Sequence, residues 1–202
     1  MSRFLLIRHA AVELAAHIIG GRSPGIHLSV VGHEQARRLA LTLRAASIRA
    51  IYASPRERAR ETAQAIAEQR RIPVETAPEL DEIDYGHWTG LSMKELSARP
   101  QWEAFNTARS CTRVPGGELI AEVQARVATF IARLHAQQAT GSVLLVSHCD
   151  VIRAAVAYYL SSPLDLMLRL EINPASVSIV ELTPAGPSIM CVNYTENLPS
   201  DA

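Results

Sequence analysis

Lysine is almost missing from this 202-residue chain: Lys94 is the only one, so arginine carries nearly all the positive charge. Arginine's planar fork of donors suits phosphate, but a bias spread along a whole chain reads as codon usage before it reads as function. Cysteine is scarce and odd in number, with Cys111, Cys149 and Cys191 far apart. That excludes a disulfide framework and any CxxC metal pattern. Long apolar runs are absent as well. Phe4-Leu5-Leu6-Ile7 is ended by Arg8 and His9, too soon for a signal-peptide core or a membrane span. A reducing cytoplasm is the expected compartment. Basic and acidic residues number 20 each, so no overall field draws the chain to nucleic acid or to an anionic membrane. There is no HExxH, no carboxylate cluster, and neither a GxGxxG nor a GxxxxGKS/T phosphate loop, so no metal and no cofactor are expected. Repeats, low-complexity tracts and linkers are missing too.

What is present reads as one domain over residues 1–202, long enough to bury a substantial core. Phe4 to Ile7 is a short buried strand. A helix comes next, from about Val31 to Ala46, with Ala36, Leu39, Ala40 and Leu43 on one face. Arg49 to Ala53 is the next strand. Ser54-Pro55-Arg56-Glu57 then predicts a helix start, with Ser54 as cap, Pro55 at the first position and Glu57 closing a capping box. That helix runs to about Arg70, and Pro73 and Pro78 break the chain beyond it. A loop-rich insertion at about 79–117 carries both tryptophans as packing residues, short helices around Ser92–Ala98 and Gln101–Ala108, and a place over one sheet edge. The longest helical pattern spans Gly117 to Gln138. Ser142 to Val146 is another strand, Val151 to Leu160 another helix, and Ser176–Leu182 and Ser188–Val192 are β-rich. Alternating strand and helix predicts an α/β three-layer sandwich with a largely parallel central sheet, which binds ligands beyond the carboxyl ends of its strands.

Two of the seven histidines, His9 and His148, directly follow strongly apolar strands. Ser54 ends the strand containing Ile51 and Tyr52. Parallel pairing of the three strands would bring two imidazoles, Arg8 and the amides of the Ser54 helix to one edge, a setting for an anion such as phosphate. Arg58 borders the inward face of its helix, four residues before Thr62. Arg56 and Arg60 lie about 200° away at 100° per residue, and read as solvated. Cys149 is flanked by His148 and Asp150, but sequence neighbours do not face each other, so it reads as a packed residue and not an activated nucleophile.

With those residues assembled, the chain resembles the histidine phosphatase superfamily, the phosphoglycerate mutase-like proteins, over nearly its whole length. Leu6-Ile7-Arg8-His9-Ala10 is similar to the family's Arg-His-Gly signature. Gly21-Arg22, Leu28-Ser29, Gly32 and Gln35-Ala36 match its Gly-Arg, Leu-Thr, Gly and Gln-Ala positions. Ser54-Pro55-Arg56-Glu57-Arg58-Ala59 with Thr62-Ala63, and Leu80-Asp81-Glu82 with Tyr85-Gly86, Trp88 and Gly90, resemble two further segments. Pro115-Gly116-Gly117-Glu118 and Val146-Ser147-His148 complete the set.

The resemblance implies a metal-independent phosphatase acting on a small-molecule phosphate ester. His9 would be the nucleophile and form a phosphohistidine. Arg8, Arg58 and His148 would hold the phosphoryl oxygens, Glu82 would be the acid and base, and Arg22 would touch substrate. A cofactor-dependent phosphoglycerate mutase is the alternative activity, disfavoured by the modest insertion. A non-catalytic phosphate-binding member of the fold is the alternative class. Four departures stand out. Ala10 replaces the signature glycine, tolerable where its backbone angle is ordinary and otherwise expected to crowd the phosphate. Ala11 and Ala15 replace an acidic residue and an asparagine. Cys149-Asp150 replaces Gly-Gly, and Asp150 is expected to weaken anion binding by like-charge repulsion.

Overall fold

The first strand decides the architecture. In the computed structural model, which describes residues 2–13, 17–137 and 141–195, β1 (Ser2–Arg8) is buried on both faces. Leu5 and Ile7 point into one apolar cluster and Phe4 and Leu6 into another. A strand with two apolar faces needs a layer on each side. On one side lie α1 (Val30–Thr42) and α2 (Glu57–Glu68), supplying Leu39, Ala40, Ala63 and Ile66. On the other lie α5 (Ile120–Ala136) and α6 (Cys149–Tyr159), supplying Val123, Ile131, Val151 and Ile152. Each such side chain contributes about 1.5–3 kcal/mol by leaving water.

The sheet adds β2 (Ile48–Ala53), β3 (Val74–Thr76), β4 (Ser142–Ser147), β5 (Val177–Thr183) and β6 (Gly186–Tyr194), in the order β3-β2-β4-β1-β5-β6. The first four strands of that order are parallel, while β5 runs antiparallel to β1 and β6 to β5. The three-layer sandwich and largely parallel sheet read from the sequence are therefore present. Among the described residues, no helix is long and apolar enough to cross a membrane.

The differences from expectation are local. β3 was hidden between Pro73 and Pro78; it is a three-residue edge strand that pairs with β2 alone. The second helix starts at Glu57, and its N-terminal residue Arg56 makes no side-chain cap. Ser54 is instead drawn into the interior by Asp81 and His148. Segment 79–117 does form α3 (Met93–Ser97) and α4 (Pro100–Thr107). Trp88, Leu96 and Phe105 join the cluster of Phe4 and Leu6 on the α5–α6 face. Trp88 packs 5.3 Å from both Trp102 and Phe105, so the tryptophans are packing residues.

One close approach fixes the chain just after β1. The carbonyl of Ala11 accepts the Ser29 N–H at 3.0 Å, and Ser29 caps α1 through the Gly32 N–H. A Cβ on Gly32 would stand 1.9 Å from that carbonyl oxygen. Gly32→Ala is therefore expected to cost about 1–3 kcal/mol, as overpacking of a tight contact does. Urea unfolding checks this, and an unchanged midpoint would show that Ala11 does not pin α1.

Candidate active site

Register brings the strand ends level. Arg8 pairs with Ser147, and Ala53 with Val146. The chain then continues the ladder by one bond each, His9 N–H to the Ser147 carbonyl and Ser54 N–H to the Val146 carbonyl, both 2.9 Å. His9 and His148 emerge with ring centroids 5.2 Å apart. α2 places Arg58, 3% exposed, between them. Its Nε donates to His9 Nε2 at 3.3 Å, and its Nη2 lies 3.3 Å from His148 Nδ1 while donating to the Gly21 carbonyl at 2.8 Å. Thr62, one helical turn on, ties this helix to the loop after β1 by accepting the Ala10 N–H at 3.0 Å.

The protonation state of His9 is set by its partners. Nδ1 lies 2.8 Å from the Ala10 carbonyl, which only accepts, so Nδ1 carries the proton. The lone pair is then on Nε2. Burial, and the positive charges of Arg58 and Arg8, push the His9 pKa down to about 3 against the pull of the Ala10 carbonyl. The ring is neutral and Nε2 is unprotonated, its lone pair accepting from Arg58 Nε. Burial, His9 and Arg58 likewise hold His148 well below the usual imidazole range.

Glu82 faces both groups. Its Oε2 lies 3.4 Å from His148 Nδ1 and 3.8 Å from Arg58 Nη2. Burial raises its pKa to about 7, helped by the charge of Asp150 and opposed by Arg58. A carboxyl poised there can give and take a proton near neutrality. Its backbone is clamped: Asp81 Oδ1 accepts the Glu82 N–H at 2.8 Å, and the Glu82 carbonyl accepts from Arg22 Nε at 2.8 Å and Arg126 Nη2 at 3.3 Å. Behind the clamp, Gly117 allows a close approach, since a Cβ there would meet the Asp84 carbonyl at 2.1 Å.

Arg8 and Arg58 each keep a donor that no protein group meets. Arg8 Nη1 donates to the Ile172 carbonyl at 2.6 Å, but its Nε and Arg58 Nη1 are buried without a protein partner. Unpaired buried donors are costly, and an anion would satisfy both. An unprotonated imidazole nitrogen, guanidinium donors and a carboxyl of near-neutral pKa can together attack and protonate a phosphoryl ester.

Other expectations need correcting. Arg22 is engaged by the loop that carries Glu82, though its side chain stays one-third exposed: besides Glu82 it donates to Glu118 Oε2 at 2.9 Å and lies 3.5 Å from Asp81 Oδ2. These acceptors draw it into the loop that carries Glu82. Arg56 is not solvated, for it donates to the Arg22 carbonyl at 2.6 Å, whereas Arg60 is exposed. Ala10 adopts no left-handed backbone angle. Its side chain is fully buried against Leu28 and Ala36, so the methyl packs into the core behind the loop. Ala11 donates to Gln35 Oε1 at 2.9 Å, and Ala15 lies outside the described residues. The Cys149 thiol donates to the Ile172 carbonyl at 3.6 Å, and burial raises its pKa to about 11, so it stays protonated. Asp150 is compensated: Arg109 donates to it at 2.7 Å, Arg153 at 2.9 Å and the Tyr85 hydroxyl at 3.2 Å. Although burial pushes its pKa up, the two arginines win and hold it down, offsetting the repulsion expected of it.

Sequence reasoning gave Ser54 only a capping role and passed over Asp81, Arg126 and the Tyr85–Asp150 contact. Only Ser54 left a signal, because it ends a strand level with His148. Among the described residues, no group of three or more His, Cys, Asp or Glu side chains could hold a metal ion.

Comparison with known proteins shows the family and the fold. The sequence profile described as "Histidine phosphatase superfamily (branch 1)" matches residues 4–195. The chain is 30% identical over 199 residues to the adenosylcobalamin/alpha-ribazole phosphatase of Escherichia coli, covering 95% of each chain. It is 29% identical to phosphoserine phosphatase 1 of Hydrogenobacter thermophilus, covering 98% of this chain and 95% of that one. It also matches, at 32% identity, a longer bifunctional protein of Mycobacterium tuberculosis, of which it spans 54%. The solved alpha-ribazole phosphatase of Shigella flexneri has a TM-score of 0.85 at 27% identity, covering 96% of this chain and 100% of that one. Bacillus stearothermophilus YhfR reaches 0.88 at 26% identity, covering 94% and 96%. The fold is that of the phosphoglycerate mutase-like proteins, and the chain belongs to the histidine phosphatase superfamily.

Proposed function

We propose that the protein is a metal-independent phosphatase that hydrolyses small phosphomonoesters through a phosphohistidine on His9. One observation carries this reading. The Ala10 carbonyl holds the proton of His9 on Nδ1, so the Nε2 lone pair is turned to Arg58, whose guanidinium also faces Glu82. The names of the relatives, alpha-ribazole phosphatase and phosphoserine phosphatase, support a small phosphate ester as substrate.

In the reaction so read, Arg8, Arg58 and His148 bind the phosphoryl oxygens. Nε2 attacks phosphorus in line with the leaving oxygen, and the N–P bond forms as the O–P bond breaks. Glu82, protonated below about pH 7, gives its proton to that oxygen. The resulting carboxylate then takes a proton from water, which attacks the phosphohistidine and releases phosphate. Arg22 acts in this reading as a brace for Glu82. Free Cys111, Cys149 and Cys191 suit a reducing cytoplasm.

His9→Ala is expected to lower the rate of p-nitrophenyl phosphate hydrolysis by at least about 10³-fold, as loss of a nucleophile does. A wild-type rate in that variant would remove His9 from the chemistry. The wild type should keep its activity in excess EDTA, and its loss there would bring a metal into the reaction.

The pH dependence is set by the two shifted groups. Phosphorylation needs Glu82 protonated and His9 neutral, so kcat/KM falls as pH rises through about 7 and meets no His9 limb until about 3. Glu82→Gln is expected to erase the fall near 7 and to lower kcat/KM by about 10²–10⁴-fold. An alkaline limb that survives in this variant would assign it to another group.

A further inference from the structure

Ser54 takes no part in phosphoryl transfer as read so far, yet it is fully buried and makes three polar contacts. Its hydroxyl donates to Asp81 Oδ1 at 3.3 Å, accepts the Arg56 N–H at 3.3 Å and lies 2.7 Å from His148 Nε2. A hydroxyl has one proton to give, and an ionised carboxylate only accepts. With the Ser54 proton turned to Asp81, the proton on the 2.7 Å contact belongs to His148 Nε2. Across the ring, Nδ1 meets Arg58 Nη2 at 3.3 Å, which only donates, so Nδ1 holds the lone pair. The Ser54 and Arg58 contacts select one tautomer, and Glu82 Oε2, 3.4 Å from Nδ1, fits it when the Glu82 carboxyl carries its proton.

That tautomer turns a bare acceptor toward the pocket, where a phosphoryl oxygen needs a donor. To bind the anion, Nδ1 must gain a proton. We propose that Ser54 and Asp81 are positioning residues acting through His148, a hydroxyl relay that lets the ring become an imidazolium when a phosphoryl anion fills the pocket. This rests on reading the pocket as a phosphoryl site. A phosphomonoester monoanion transfers its ionisable proton to Nδ1, leaving a dianion beside a cation, and no other bond changes. The new Nδ1–H donates to a phosphoryl oxygen. On the far side, Nε2–H donates to Ser54, whose proton points at the Asp81 carboxylate, so the negative end of the chain lies away from the anion. Asp81 is anchored by ion pairing, with Arg56 Nε 2.9 Å from Oδ1 and Arg22 Nε 3.5 Å from Oδ2. Without an anion, burial together with His9, Arg58, Arg126 and Arg56 favours the neutral ring; Glu82, with Oε2 3.4 Å from Nδ1, is the carboxyl that faces it.

Nitrogen NMR of histidine-labelled protein, near neutral pH and with or without saturating inorganic phosphate, tests the relay in the wild type, Ser54→Ala and Asp81→Asn. In the wild type, His148 Nδ1 is expected to read as unprotonated without phosphate and protonated with it. In both variants the pH at which phosphate-bound His148 charges should fall by about one unit, a tenfold loss of the charged form. KM for p-nitrophenyl phosphate should rise about tenfold, the worth of a hydrogen bond to a charged group, with a smaller change in kcat. Asp81→Asn keeps the side-chain shape and carries the test if Ser54→Ala does not fold. Variants that lose stability while phosphate-bound His148 charges at the wild-type pH overturn the relay. So does a wild-type His148 that stays neutral while His9 reports bound phosphate. No phosphate-induced change at either histidine overturns the phosphoryl-site reading as well.

Discussion

One guanidinium organises this molecule. Arg58 stands between two imidazoles with a donor toward each, and its charge helps keep both rings neutral. The same charge opposes the burial that raises Glu82. Moving the guanidinium would change the proton occupancy of three groups together, because each is coupled to the same cation in a low-dielectric setting. The position of α2 matters for this reason, and Thr62 ties that helix to the loop after His9.

Around that centre the polar interior is built mainly from arginine. Arg22 and Arg126 meet the Glu82 carbonyl, Arg56 lies against Asp81, and Arg109 and Arg153 meet Asp150. Several of these side chains join a backbone carbonyl to a carboxylate, for which a rigid fork of five donors is better suited than a single ammonium. The scarcity of lysine, compositional at first sight, coincides with an interior that uses the arginine geometry repeatedly. The segment around residues 79–117 contributes here twice: its aromatic residues fill the α5–α6 face, and Arg109 reaches Asp150 at the start of α6.

The apolar residues told the fold plainly. Leu5, Ile7, Leu144 and Val146 on one face, and Phe4, Leu6, Val143 and Leu145 on the other, made β1 and β4 readable as strands with helices on both sides. The residue that ends each strand then located His9 and His148, since parallel neighbours finish at one edge. The illegible part depends on partners distant in sequence. Nothing local shows that Ser54 leaves its helix start for Asp81 and His148, or that Arg22 is taken up by Glu82 and Glu118. β3 escaped because three residues between prolines carry too little period to be seen. The effect of Ala10 turned on a backbone angle and a pocket formed by Leu28 and Ala36, which no spacing encodes.

The contact between His9 Nδ1 and the Ala10 carbonyl has a further meaning. A peptide oxygen belongs to every residue type, so no substitution at position 10 removes the acceptor itself. Which ring nitrogen is left without a proton is thus written into the path of the main chain, and in the proposed reaction an adduct on His9 would be the Nε2 isomer. Regiochemistry of this kind resists side-chain drift: the loop could change its residues and still present the same nitrogen, provided the turn after β1 keeps its shape.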